Sequence, residues 1–245
     1  ASDSNLFSRM QYELAKVVYL LDKREDANLQ TLYSIEVLLY RLLEHHGNIN
    51  DTKFIKEIMS NPESLMEIID KTYLSSDENE RAVEIEQVKN DNSYALLGWH
   101  IFYTLRQTPF VDSNNTIDEV ALNNYIDQLQ TLGNAKHKIK GVNTVIGELL
   151  GNYPETEDYP SIPICDIIER LNNKEVNNGF RTRLYNKRGV TVRPAYEGGT
   201  LEKNEADKYK KYADKIRYTH PIVCSIFDDL SRDYYQIAKN KDIRV

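Results

Sequence analysis

The chain has 245 residues, of which 40% are hydrophobic and 28% charged, with a formal net charge of −7. A chain of this length can bury roughly 70% of its unfolded surface, and 17 Tyr, 6 Phe and one Trp exclude general disorder. A mean hydropathy of −0.59, with no apolar run near the ~18 residues that a bilayer demands, excludes a membrane span.

The first three residues, Ala1-Ser2-Asp3, include no methionine, which reads either as a processed start or as the boundary of a piece of a longer polypeptide. There is no charged-apolar-small leader. Cys165 and Cys224 each lie among aliphatic residues and read as buried reduced thiols, so the expected location is cytoplasmic.

In residues 6–22, Leu6, Phe7, Met10, Leu14, Val17, Val18 and Leu21 recur at spacings of three and four and predict an amphipathic helix. Leu29, Leu32, Tyr33, Val37, Tyr40 and Leu43 predict a second over 29–46, ending at His45 and His46 with Gly47 placed to stop it. Joined by polar residues 24–28, the two make a helical hairpin, the unit of α-solenoids, although no later repeat of it is visible. A short helix follows at 51–59, and the next opens with Asn61 as N-cap and Pro62 in its first turn, burying Leu65, Ile68, Ile69 and Tyr73. A charged helix over 76–89 leads to 94–105, which carries Tyr94, Leu96, Leu97, Trp99, Ile101, Phe102 and Leu105. Being apolar nearly all round, it is the expected central core helix.

Thr116 and Glu119 have the spacing of a capping box opening a helix over 117–132, which Gly133-Asn134 would stop. A lysine-rich turn precedes 142–150, stopped in turn by Gly151. The acidic, turn-rich stretch 154–163 marks a weak internal boundary in what is otherwise a single domain over 1–245. Helices at 164–171 and 178–187 follow, and then a glycine-punctuated excursion over 189–199. The chain ends in an antiparallel helical hairpin. Its first arm carries Ala206, Tyr209, Ala213 and Ile216; its second, started by Pro221, carries Val223, Ile226, Phe227, Leu230, Tyr234 and Ile237. The fold class is therefore all-α, an irregular multi-helix array or bundle of about ten helices.

The most unusual stretch in charge is 174–193, where Lys174, Arg181, Arg183, Lys187, Arg188 and Arg193 face only Glu175. That net +5 leaves −12 on the rest of a chain whose total is −7. The candidate partner-binding residues are Arg181, Arg183, Lys187, Arg188, Arg193 and Tyr196. Two readings stand side by side: contact with phosphates or an acidic protein surface, or an internal brace pairing with the chain's own acidic helices. One basic stretch in an acidic chain, against the domain-wide basicity of nucleic-acid binders, favours the brace.

The five histidines His45, His46, His100, His137 and His220 are scattered without metal-ligand spacing, and no nucleophile elbow or phosphate-binding glycine loop occurs. No catalytic residue, cofactor or metal is expected.

The run Asn186-Lys187-Arg188-Gly189-Val190-Thr191, followed by Glu197-Gly198-Gly199 and a helix pair, resembles a C-terminal helical module of large uncharacterised bacterial proteins. The likeness extends upstream to Ile58-Met59-Ser60-Asn61-Pro62-Glu63 and the Trp99 helix, and departs at Glu202-Lys203, where the family carries Glu-Arg. The resemblance implies the end of a longer helical polypeptide in a bacterial setting, defence systems among them. The expected function is a non-enzymatic protein-interaction or scaffold module, whose partner is another protein or the remainder of a longer chain. The alternatives are a nucleic-acid-binding module using 174–193 and an enzyme with no recognisable motif.

Overall fold

The computed structural model describes residues 2–189 and 198–242, with side chains from Phe7 onward. Thirteen α-helices form among these residues, and the only extended pairing is an isolated antiparallel bridge between Val111 and Ile117. The all-α reading holds.

Helices α1 (Ser2–Asp22), α2 (Leu29–Leu38) and α3 (Tyr40–His46) realise the first predicted hairpin, but the expected second helix is split at Leu39. The break lets Tyr40 turn fully inward, where its hydroxyl lies 2.7 Å from Thr104 Oγ1. Helices α4 (Lys53–Ser60) and α5 (Pro62–Thr72) meet at Asn61, whose side chain accepts from the Glu63 amide beside Pro62, as the sequence predicts. The start of α4 is capped from a distance. Asp22 Oδ1 accepts from the Lys53 amide and Glu36 Oε2 from the Phe54 amide, so α1 and α2 both supply carboxyls to the positive end of α4. Glu36 is fully buried beside Asp22; burial first, then its bond with Asp22, raises its pKa.

Helix α6 (Glu78–Asn90) buries no residue and is held largely through Glu84. That carboxylate lies 2.6 Å from Lys138 Nζ, and the same buried ammonium donates to the Asp70 and Tyr73 carbonyls at the end of α5. A lysine from the predicted turn thus serves as a C-cap for another helix.

Helix α7 (Ser93–Thr104) corrects the expectation of a central core helix. It buries Gly98, Ile101, Phe102 and Thr104 but leaves Tyr94, Leu96, Trp99 and Tyr103 exposed. Its apolar residues cover two faces; on the second, Trp99 rests its ring 4.9 Å from that of Tyr73 while remaining half exposed.

The central element is α9 (Ile139–Gly151), which buries Val142, Val145, Ile146, Leu149 and Leu150 between α8 (Glu119–Ala135) and α11 (Lys174–Lys187). The expected capping box at Thr116 does not form. Asp112 draws the Thr116 amide into its own loop, the bridge at Val111 and Ile117 holds it there, and Asp118 caps α8 by accepting from the Ala121 amide. Gly133, read as a helix stop, lies within α8, whereas α9 ends at Gly151 as expected. Both act by lacking a side chain. A Cβ on Gly133 would press on Val142, and Cβ atoms on Gly147 and Gly179 would overlap the backbones of α11 and α9 respectively.

Beyond α10 (Ile162–Leu171), the hairpin of α12 (Thr200–Ile216) and α13 (Pro221–Asp242) packs as predicted. Tyr209 and Tyr234 stack 5.8 Å apart inside it, and Phe227 joins Tyr209 from α13. Gly199 sits against the Ala238 backbone and donates its amide to Asp242 Oδ1 at 2.8 Å, closing the open end of the hairpin. One cluster of buried side chains runs from Ala15 to Tyr234 and includes Tyr159 of the 154–163 stretch, which packs against Tyr212 and Phe227.

Candidate partner-binding surfaces

The basic residues of α11 are mostly spoken for. Arg181 pairs with Asp233 of α13 at a half-exposed position. Arg183, only 3% exposed, donates from Nε to Asn152 Oδ1 and from Nη1 to the Tyr103 carbonyl at 3.1 Å. The Lys187 ammonium donates to the Tyr153 carbonyl. Arg188 Nη2 lies 2.8 Å from Glu202 Oε1, and its guanidinium sits 5.5 Å from the centre of the Tyr234 ring. Glu202 is fully buried and also receives Lys241 Nζ at 2.9 Å. The structure therefore does not gather these four side chains into one solvent-facing array: Arg183 and Lys187 point inward, and Arg181 and Arg188 reach across to the terminal hairpin. Arg193 and Tyr196 lie outside the described residues.

Burial governs the electrostatics around Arg183. It lowers the Arg183 pKa to about 10, with Arg106 adding repulsion and Glu148 opposing, and it pushes Lys187 down to about 8. Burial pushes Glu148, on α9, up to about 7 against the pull of Arg183. A carboxyl near neutrality is a general acid or base only if a substrate can reach it. Neither Glu148 nor Arg183 lines the groove described next.

Two apolar surfaces lie elsewhere. The first is a groove of about 530 Å³ between α2, α5 and α7. Tyr33, Val37, Leu38, Ile68, Leu97 and Ile101 form its apolar lining, while Glu57, Glu67 and Lys71 supply charge. Leu38 is 80% exposed at this groove, an unusual position for a leucine unless something covers it. The second is the outer side of α1, where Phe7, Met10, Leu14, Val17 and Leu20 are all exposed.

Neither surface was read as a site from sequence. The signal was present in α1 and α7, which carry more apolar residues than one buried stripe uses, but a sequence does not say which of two apolar faces a helix buries.

Among the described residues no group of His, Cys, Asp and Glu could hold a metal ion, and no helix is long and apolar enough to cross a membrane. Compared with known protein families, with curated proteins and with solved structures, the chain matches none.

Proposed function

We propose that this chain is a protein-interaction module that seats an apolar segment of a protein partner in the α2–α5–α7 groove. The observation that carries this reading is the groove itself, concave, lined by aliphatic and aromatic side chains, with a few charged groups to orient an occupant. Buried apolar anchors ringed by polar groups are the usual source of affinity between proteins. The bacterial setting and the place at the end of a longer polypeptide rest on the sequence resemblance alone. The nucleic-acid alternative has less support, since Arg181, Arg183, Lys187 and Arg188 already contact groups of their own chain.

A photo-crosslinking residue replacing Leu38, compared with one replacing exposed Val120 on α8, tests the proposal in extract of the source cell. A discrete protein adduct at position 38 that is absent at 120 and lost on adding Leu97→Glu supports it. Equal labelling at both positions, or adducts that disappear with nuclease, would overturn it. Tight binding to a random DNA duplex, weakening with salt at a log-log slope near −0.9 per phosphate, would favour the nucleic-acid reading.

A further inference from the structure

Helix α1 carries two apolar stripes. Ala15 and Val18, with Asp22, are buried against the chain's own helices. The other stripe runs through Phe7, Met10, Leu14, Val17 and Leu21, at spacings of three, four, three and four residues. The first four of these are between 44% and 62% exposed, and Leu20, beside them, is 56% exposed. This alternation is the seam of a two-helix coiled coil, in which each apolar side chain enters a gap between four residues of the facing helix. It lies on the opposite side of α2 from the groove: Leu21 lines a separate depression with Thr31, Leu32 and Ile35, whereas the groove is lined by Gln30, Tyr33, Ser34, Val37 and Leu38.

We propose that the occupant of this seam is the α1 of a second copy of this chain, packed antiparallel. From Met10 to Leu21 the stripe reads the same in both directions about a point between Ala15 and Lys16, whereas Phe7 falls opposite position 24, beyond the end of α1. A two-fold axis there sets Met10 opposite Leu21 and Leu14 opposite Val17, then repeats both layers in reverse, with a long side chain facing a shorter or branched one in the middle. The flanking positions agree with this register. Glu13 falls beside Leu20 of the second copy, within reach of that copy's Lys16 and Lys23, which lie four residues before and three after it.

Glu13, Lys16 and Lys23 are exposed, and none has an ion pair among the described residues. A parallel pairing would not place Glu13 near those lysines. From Met10 to Leu21 the paired seam is about 17 Å long, and a helix pair of that length buries less than the roughly 800 Å² per partner of a standard interface. The dimer is therefore weak, with a dissociation constant on the order of micromolar.

Sedimentation equilibrium of the full chain, from low micromolar to several hundred micromolar, should show a reversible monomer–dimer equilibrium. Leu14→Glu should abolish it without moving the melting temperature, because Leu14 lies outside the core. Glu13→Lys should weaken association several-fold, and adding Lys16→Glu and Lys23→Glu to it should restore it, a pattern that general stickiness would not produce. In an equimolar mixture of Leu14→Cys and Val17→Cys chains, oxidation should link the two variants faster than it links either to itself. A chain that stays monomeric throughout would overturn the proposal. So would failure of the charge swap to restore association, or faster linkage of Leu14→Cys to itself. Binding of the monomer to vesicles of anionic phospholipid, lost in Leu14→Glu, would instead assign the stripe to a lipid surface and equally overturn it.

Discussion

The two ends of the molecule use their apolar residues differently. Before Leu105, large hydrophobic side chains are exposed on α1, α2, α6 and α7; after it, among the described residues, only Val120, Ile162, Tyr185, Tyr218 and Tyr235 are. The C-terminal half instead closes on itself, with glycines that let α9 and α11 approach, stacked rings inside the last hairpin and basic residues of α11 tied to neighbouring helices. Among the described residues, Arg181, Arg183, Lys187 and Arg188 of the basic stretch make internal contacts, and the exposed apolar surface lies where the sequence looks ordinary. Charge asymmetry by itself does not locate an interaction site, because an arginine binds an internal carboxylate by the same chemistry as an external one.

The largest effects expected from this difference come from the glycines. Gly147→Ala should lower stability by about 3 kcal/mol, because the new methyl meets the backbone of α11 and the ~1 kcal/mol of helix propensity gained cannot offset that. Gly98→Ala, in the N-terminal half, should cost clearly less, since the atom in the way is the Thr72 hydroxyl, whose displacement costs its bond to the Ile68 carbonyl but moves no backbone. Urea denaturation of both variants measures the difference, and equal losses would erase the distinction between the halves.

Next come the arginines. Arg183→Met strands Asn152 Oδ1 in a buried site, although the Tyr103 carbonyl keeps its bond from Arg106, and should cost about 2 kcal/mol. Arg181→Met removes a half-exposed ion pair and should cost under ~1 kcal/mol. Similar melting temperatures for the two variants would show that burial does not set the worth of these braces.

A further effect is a pH dependence. Glu148 and Glu36 both have folded-state pKa values raised by burial, Glu148 to about 7. A carboxyl that holds its proton more tightly when folded contributes stability that is full below the ordinary carboxylate range and is lost as pH rises through the folded value. Chemical denaturation should therefore show stability declining from about pH 5 to above pH 7, with a shallower decline in Glu148→Gln. An unchanged profile in that variant would remove Glu148 as a source of the decline.

Local signals were the part of this fold legible in the sequence. The caps at Asn61-Pro62, the proline start of α13 and the paired seams of the last hairpin all depend on residues close together in the chain, and they appear where expected. Features that depend on a distant partner were not legible. Gly133 has the residue type of a helix stop, yet its use is set by Val142. Thr116 and Asp118 could each cap α8, and a bridge formed by the preceding loop chooses between them. The basic residues of α11 could be counted from sequence, but whether Arg183 meets solvent or Asn152 is decided by a helix 31 residues away.

The contact between α9 and α11 also bears on kinship. A substitution that meets a neighbouring side chain can be absorbed by repacking, but at Gly147 and Gly179, as at Gly199 in the last hairpin, the neighbour is backbone, so any side chain at the first two forces α9 and α11 apart. A descendant or cousin of this chain that has drifted in every other position is still expected to carry glycine at these two points, with a small residue where Gly151 meets the Arg183 stem. That spacing, one glycine pair four residues apart on one helix and a single glycine on the next but one, is a compact signature by which distant relatives can be sought.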